Sequence, residues 1–375
     1  MNTQKISPIA KDHYSQQPAA AKFTLDAVNF RGAVILSTAA LLSACGGGGS
    51  SAPPATTPFL GPPGPIPSAA IYEAPTVALV ASVPTATYPT GSEELAAFET
   101  LNAVRTACGF GQLAQNSKLD QAAVGHADWL VRNGYVGHYQ DAKLPGFTGK
   151  TPADRGVSSG YGQPGVVSVT NLLASAYGPG VNKLDYGKKS VYRLLNAPYH
   201  GFGMLSGALE VGVAVRSDQD VGASPMGNRV QADFDLGYRY STGSQEPETD
   251  AVLTFPCGGS TDVDRDLTHE DPNPVPGRNL ATHPLGTSVI IRVRKGHTLK
   301  ITHAAMVETA TGTSVVLRPP VGAVYGNDPH GSIGNWEGYV AADQPLKALT
   351  RYSVTLEGTN NGRIFSRNFI FTTGN

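Results

Sequence analysis

Cysteine is scarce in this chain, since only Cys45, Cys108 and Cys257 occur among 375 residues. They lie too far apart for a C-x-x-C pair, which excludes the usual zinc and dithiol redox motifs. If Cys45 is consumed by another modification, the two cysteines that remain can pair in an oxidising compartment.

A surplus of charge is also missing. Lys and Arg number 28 and Asp and Glu number 29, which gives a formal net charge of −1. Nucleic-acid binding proteins usually carry a basic patch and a high isoelectric point, so we expect no nucleic-acid partner. The sequence contains no phosphate-binding loop. Hydrophobic residues make up 40% of the chain, which is too much for wholesale disorder.

The apolar run near the N-terminus is too short to cross a bilayer. It reads GAVILSTAALLSA at 32–44 and has 13 residues, whereas a membrane span takes ~20. A segment with an excess of positive charge precedes the run, as in a signal peptide. The run ends in Leu-Ser-Ala-Cys, which resembles the lipobox of bacterial lipoproteins. We therefore predict that residues 1–45 are a signal peptide and that Cys45 is lipidated. The alternatives are an ordinary signal peptide with a chance cysteine, or a buried helix.

A lipidated Cys45 predicts an exported protein that is anchored to a membrane, and Gly46 behind it implies the outer membrane or cell surface. Residues 46–92 contain ten prolines and a single charged residue, Glu73. This composition predicts a Pro/Gly-rich disordered tether. The stretch around Val77–Val83 is apolar enough to dock as an edge strand, which leaves that alternative open.

Helical and strand patterns alternate after the tether. Apolar residues recur every three positions up to Gly109, and a second apolar face runs up to Gly134. The predicted elements are a helix that begins at Thr90 or Ser92, a helix over about 118–133 with Ser117 as its N-cap, a helix over 188–196, and strands over 210–215 and 230–236. Helices mixed with non-consecutive strands predict an α+β class.

Several motifs occur in an order that resembles the CAP superfamily, the SCP and pathogenesis-related-like proteins. LNAVRTACGFGQLAQNSKLDQAAVGHADWLVRNGYVGH resembles the opening of bacterial CAP domains, and GKTPADR, VYRLLNAPYH, GMLSGALEVGVAV and QADF resemble later segments. The match covers about residues 95–240. The resemblance implies a CAP domain over 93–245, folded as a three-layer α-β-α sandwich.

The CAP cavity is lined by two histidines and two acidic residues that can hold a divalent metal. The resemblance carries over the histidines as His138 and His200, but Thr170 stands where the first acid is expected and the helix around 191–197 offers no second one. The resemblance thus implies a cavity lined by His138, His200 and Thr170. A metal such as zinc is expected to bind only weakly there, because strong sites have three or four protein ligands.

Three further polar residues of this domain are expected to be structural. His126 lies on an apolar helix face, Arg155 in a loop motif and Glu210 at a strand start. Cys108 follows the first helix and Cys257 follows the last strand of the implied domain. We therefore predict a Cys108–Cys257 disulfide that joins its two ends.

The remainder of the chain reads as a linker and an all-β domain. Residues 246–284 are acidic and Pro-rich, which predicts a solvated linker. Residues 285–375 alternate in the strand period. The pattern predicts one hairpin from 289–293 to 299–301 and another that turns at 360–362. The strand endings resemble bacterial Ig-like modules, which implies an Ig-like β-sandwich.

Three functions remain open at this point. The leading one is a lipid-anchored envelope protein whose CAP domain binds a lipid, a cell-wall fragment or a protein partner without catalysis, because the acidic tetrad positions are not retained. The alternative is a metal-dependent hydrolase, a protease or nuclease, that uses the His138/His200 cavity. The third is a purely structural envelope protein.

Overall fold

The computed structural model describes residues 75–222 and 228–375, which form a mixed α/β structure. The predicted signal peptide, the lipidation at Cys45 and the tether residues 46–74 lie outside the described residues. Within the described part, no helix combines the length and the apolar character that a bilayer crossing requires. The helices of the described residues are α1 Glu93–Ala107, α2 Ser117–Asn133, α3 Pro152–Ser158, α4 Tyr186–Asn196, α5 Pro198–Met204 and α6 Asp218–Val221, with a 3-10 turn at Ala323–Tyr325.

The strands of the described residues form open sheets. They are β1 Thr76–Val77, β2 Ala114–Gln115, β3 Val167–Tyr177, β4 Glu210–Ser217, β5 Arg229–Arg239, β6 Ser244–Gln245, β7 Leu253–Phe255, β8 Asp266–Leu267, β9 Leu285–Gly286, β10 Ser288–Arg292, β11 Leu299–Glu308, β12 Glu337–Ala341, β13 Arg351–Asn360 and β14 Arg363–Thr372. The largest sheet has the order β2-β4-β5-β3, in which β3, β5 and β4 run antiparallel and β2 joins β4 in parallel.

Helices contact both faces of this four-stranded sheet. On one face the alternate valines of β4, from Val211 to Val215, pack with apolar residues of α1, α4 and α5. On the other face Ala214 packs against Ala123 and Ala127 of α2. Alternate side chains of β4 therefore point to opposite faces of the sheet, where each set packs against a different layer of helices.

The two long helices begin and end where short polar or glycine residues satisfy their free backbone groups. The side chain of Ser92 accepts from Leu95 N and caps α1, as one of the two predicted starts requires. The N-cap of α2 is Asn116 instead of the predicted Ser117, because the Asn116 side chain accepts from Lys118 N and Leu119 N. Gly134 ends α2 with φ 67°, as the sequence predicted.

Residues 75–92 pack against the part of the chain that holds the helices and the four-stranded sheet. The sequence predicted a disordered tether up to residue 92. Thr76–Val77 pairs in parallel with Ser244–Gln245. Val80 accepts from Gln112 N through its carbonyl oxygen, and its own N–H donates to Gln245. Val83 packs against the main core. The apolar stretch around Val77–Val83 thus docks, which was the alternative left open.

The segment 246–284 is built into the fold, where the sequence predicted a solvated linker. Its strand β7 pairs with β10, and β8 pairs with β9. Leu267 and Leu280 are buried together with Leu285. Leucines spaced widely in an acidic and Pro-rich segment give no periodic signal, and for that reason the order was not predicted.

Two three-stranded sheets make up the C-terminal region, in the orders β12-β10-β7 and β11-β13-β14. The predicted hairpin from 289–293 to 299–301 is wrong, because β10 and β11 lie in different sheets. The hairpin of β13 and β14 is confirmed, and it turns at Asn361 and Gly362 with φ 50° and 83°. A single cluster of buried side chains contains residues from both sheets, including Ile291, Leu299 and Phe371.

The main hydrophobic core is shared between the first region, which contains the helices and the four-stranded sheet, and the C-terminal region. Phe255, Ile290 and Tyr339 of the C-terminal part belong to the same buried cluster as the helices and sheet of the first. A Cβ on Gly201 would lie 2.2 Å from Ile290 Cδ1, so that glycine leaves the space that the isoleucine fills. The two regions therefore pack as closely as parts of one domain.

The predicted disulfide between Cys108 and Cys257 is confirmed, with the two α-carbons 5.4 Å apart. It joins the residue that follows α1 to the segment that follows β7. The bond thus connects the segment 246–284 to the end of the first helix.

Candidate functional site

His138 and His200 lie side by side although they are far apart in sequence. Their ring centroids are 6.3 Å apart and the ring planes differ by 36°. His138 lies in the loop that follows α2, and His200 lies in the first turn of α5, which Pro198 opens. The two rings are close enough to contact one bound group between them.

Asn171 of β3 fixes the orientation of the His138 ring. Its Nδ2 donates to Asp233 Oδ1 at 2.5 Å and to Asp235 Oδ1 at 2.8 Å, so its Oδ1 is the atom that faces His138 Nδ1 at 2.9 Å. An amide oxygen only accepts, and His138 Nδ1 therefore carries the proton. The free lone pair of His138 is then on Nε2.

Asp233 and Asp235 occupy alternate positions of β5 and are fully buried. Burial raises the pKa of Asp235 to about 6. Burial and the charge of Asp235 raise the pKa of Asp233 well above its ordinary value. The Arg155 guanidinium partly offsets both shifts, and its Nη1 donates to His138 O at 3.0 Å. These carboxylates are thus linked to His138 through Asn171 and through Arg155.

Glu270 holds the second histidine from the segment predicted to be a linker. Its Oε1 accepts from Tyr199 N at 2.7 Å and His200 N at 3.2 Å, and it lies 3.3 Å from His200 Nδ1. The Oε1 atom already accepts from two backbone N–H groups, so it is the acceptor for His200 Nδ1 as well. Both rings are therefore held at Nδ1 by a polar partner, and no described residue contacts either Nε2 through a hydrogen bond.

The His138 imidazole is uncharged around neutral pH. Burial is the main cause that lowers its pKa, and the hydrogen bond to Asn171 offsets part of the effect, while the nearby His200 lowers it further. A neutral His138 ring can accept a hydrogen bond or bind a cation through Nε2, but it brings no positive charge to the site.

Thr170 does not join the histidines. It is exposed, and it precedes Asn171 on β3, so its side chain projects from the opposite face of the sheet. The prediction of Thr170 as a lining residue is therefore wrong, and the neighbouring Asn171 contacts His138 instead. A shift of one position along a strand exchanges its faces.

The sequence reasoning missed Asn171 as a contact of His138, together with Asp233, Asp235 and Glu270. The two aspartates had a signal, because acids at alternate positions of the apolar strand VQADFDL share one face. Glu270 had none, since it lies in a segment without periodicity.

His126 and the other residues expected to be structural have that role. His126 is buried, and burial lowers its pKa to about 2. Its Nδ1 lies 3.2 Å from Gln140 Nε2, which donates to it, and its Nε2 donates to Gly137 O at 3.1 Å. Glu210 accepts from Asn116 Nδ2 and from the Tyr161 hydroxyl.

The donor set around the histidine pair fits a tightly bound metal poorly. Within the described ranges, no three or more His, Cys, Asp or Glu side chains converge as metal ligands. The Oε1 of Glu270 is already shared among backbone and imidazole N–H groups. Two imidazole nitrogens with water remain, which suits only weak binding of an ion such as zinc.

Comparison with known proteins gives no assignment, because no protein-family model and no curated protein matches the chain. The CAP and Ig-like resemblances therefore depend on the motifs quoted above. What the site does has to be argued from its own geometry.

Proposed function

We propose that this protein is an exported, lipid-anchored envelope protein whose first region is a CAP-like domain that binds a ligand without hydrolysing it. The observation that carries the proposal is the pair of adjacent imidazoles, each held by a polar partner at Nδ1. The sheet between helix layers and the origins of the two histidines support the CAP-like assignment. The two packed sheets at the C-terminus support the Ig-like one.

The same geometry argues against hydrolysis. A metal-dependent protease or nuclease needs a base or a polarised water beside its ion. One oxygen of each nearby carboxylate is engaged by Asn171 or by backbone N–H groups, so none of the three acids has both oxygens free to activate a water.

The uncharged His138 ring, with Nδ1 engaged by Asn171, offers Nε2 as an acceptor and so favours a ligand that donates hydrogen bonds. Hydroxyl and amide N–H groups provide such donors, and cell-wall fragments carry both in quantity. We therefore place a cell-wall fragment first, ahead of a lipid or a protein partner. Zinc would compete for the same lone pair, with weak affinity.

Native mass spectrometry of the exported chain tests the proposal. We expect a small organic ligand, or added muropeptide, to be retained by the wild type and lost in His138→Phe and His200→Phe. His283→Phe, in an exposed loop, is the matched control. Zinc-stimulated hydrolysis of peptide or nucleic acid that disappears in His138→Ala and His200→Ala would instead establish the hydrolase.

The anchor is tested separately. Cys45→Ser should move the protein from the membrane to the soluble fraction, with loss of a lipid-sized mass from the chain. Unchanged membrane retention and no such mass in the wild type would refute the lipidation, without bearing on the histidine pair.

A further inference from the structure

A groove separate from the histidine pair lies between the segment 273–285 and the C-terminal sheets. Its volume is about 340 Å³, which is at the lower end of the range for small-molecule sites. The lining is mostly apolar and includes four prolines, Pro274, Pro276, Pro319 and Pro329. No acidic residue lines it.

Both walls of this groove are fixed before any ligand arrives. On one side Arg278 donates to His283 O, Pro284 O and Asp343 O, which holds the 273–285 segment in place. On the other side Asp328 accepts from the backbone N–H groups of Ser332 and Ile333. A slot with proline walls and braced loops cannot adapt to a flexible chain. It favours a rigid, flat ligand, which loses little entropy on binding.

One end of the groove carries an uncompensated positive charge. Arg318 Nη1 and Arg278 Nη1 donate to the same oxygen of Asp343, at 3.0 Å and 2.9 Å. Two guanidinium groups share one carboxylate, which leaves a net charge of +1. The side chain of Arg318 is 35% exposed, and its remaining N–H groups have no partner in the described part of the chain. This end is complementary to an anion.

One residue that lines the groove carries a buried hydrogen-bond donor. Tyr339 is 3% exposed, and its hydroxyl makes no hydrogen bond with any described residue. Burial and the nearby charges of Glu270 and Asp328 raise its pKa, so the hydroxyl stays protonated. The same two carboxylates repel an anion from Tyr339. A ligand would therefore place its charge at Arg318 and a neutral oxygen at Tyr339.

We propose that this groove binds a planar aromatic carboxylate, with its ring between the proline walls, its carboxylate on Arg318 and a hydroxyl or carbonyl oxygen on Tyr339. The site is distinct from the histidine pair and does not depend on the function proposed for it. No covalent step is involved.

Calorimetric titration of the purified full chain, with the same buffer and no protein as the blank, tests the site. The probes are 6-hydroxy-2-naphthoate, which has both polar groups, 2-naphthoate and 2-naphthol, which each have one, and decanoate as a flexible anion. We expect 6-hydroxy-2-naphthoate to bind most tightly and decanoate at least about tenfold more weakly. Equal affinity for decanoate, or no saturable binding of the naphthoates, would overturn the proposal.

Two variants separate the two polar contacts. Arg318→Gln should weaken both naphthoates about tenfold and leave 2-naphthol unchanged, since only the charge pairing is lost. Tyr339→Phe should weaken 6-hydroxy-2-naphthoate and leave 2-naphthoate unchanged. Arg363→Gln, on an exposed strand end away from the groove, is the matched control. Carboxylate affinities that are equal in Arg318→Gln and Arg363→Gln would exclude the groove as the binding site.

Discussion

Asn171 determines the geometry of the histidine pair from a position that touches only one of the rings. Its amide nitrogen is occupied by two buried carboxylates, and this alone turns its oxygen toward His138. A side chain with the same shape and no polar atoms would leave three buried groups without a partner. The residue is therefore important to both the stability and the site.

We expect Asn171→Leu to lower the free energy of unfolding by about 2–4 kcal/mol, because Asp233 and Asp235 lose their shared donor. Asn171→Asp should also be destabilising at pH 7, since it adds a third carboxyl to a buried pair, but it should recover as the pH falls and that carboxyl is protonated. Urea denaturation at pH 7 and pH 5 measures both. No recovery of the aspartate variant at pH 5 would contradict this account.

His126 should make stability depend on pH. In the folded chain burial lowers its pKa to about 2, whereas the unfolded chain takes up the proton near ~6.5. Below that value the unfolded state binds more protons, so the free energy of unfolding falls by up to about 1.4 kcal/mol per pH unit.

His126→Gln removes this titration and keeps an amide at the position. The difference in unfolding free energy between wild type and His126→Gln should therefore shrink as the pH is lowered from 7.5 to 5. Taking the difference cancels the opposite contribution of Asp235, whose raised pKa stabilises the fold on acidification. A difference that stays constant over this range would show that His126 does not titrate as described.

The sequence predicted the histidines of the site but not what holds them. His138 and His200 stand in motifs that resemble a family, so their pairing could be expected. Thr170 was selected by counting along the same motif, and one step along the strand placed the functional side chain at Asn171. Glu270 comes from a different segment of the chain, and only the folded backbone brings it to His200.

Among the elements, those with local end signals were the ones predicted well. The helices α1 and α2 have a side-chain cap or a left-handed glycine, which act within one turn. The partner of β10 depends on contacts with residues more than forty positions away, in β12. The glycine turn that follows β10 is real, with Gly296 at φ 88°, but it leads the chain into the other sheet instead of forming a hairpin.

The disulfide connects an element of each region, and its removal should destabilise both. The chain-entropy argument gives about 5 kcal/mol for a loop of this length as an upper figure, and we expect a loss of roughly 2–5 kcal/mol in Cys108→Ala/Cys257→Ala. Urea denaturation of the oxidised chain, with and without reductant, measures it. Reductant should reproduce the loss in the wild type and change nothing in the double variant. A wild type indifferent to reductant would show that the bond contributes nothing.

On the scale of the whole molecule, the shared core predicts cooperative unfolding. Ile290 is fully buried, and its Cδ1 occupies the space where Gly201 would otherwise carry a side chain. Arg292 donates to Leu205 O, and Ser288 N donates to Asn196, so polar contacts cross the same boundary. Neither region buries its apolar surface completely without the other.

We expect one calorimetric transition for residues 75–375, with equal calorimetric and van't Hoff enthalpies. Ile290→Ala should lower the free energy of unfolding by about 2–5 kcal/mol and move that whole transition. Ile364→Ala, at a side chain that is 90% exposed, should change it by less than about 0.5 kcal/mol. Two separate transitions, with only the later one displaced by Ile290→Ala, would mean that the regions fold independently.

The fit of Ile290 into the space at Gly201 also bears on how such a chain can change over evolutionary time. Modules that meet only through a linker can be exchanged between proteins by recombination, because neither needs the other's surface. Here a new C-terminal module would have to bring a side chain of matching shape to Gly201 at the moment it arrived. The two halves are therefore expected to be inherited together, and substitutions at positions 201 and 290 to be found as pairs.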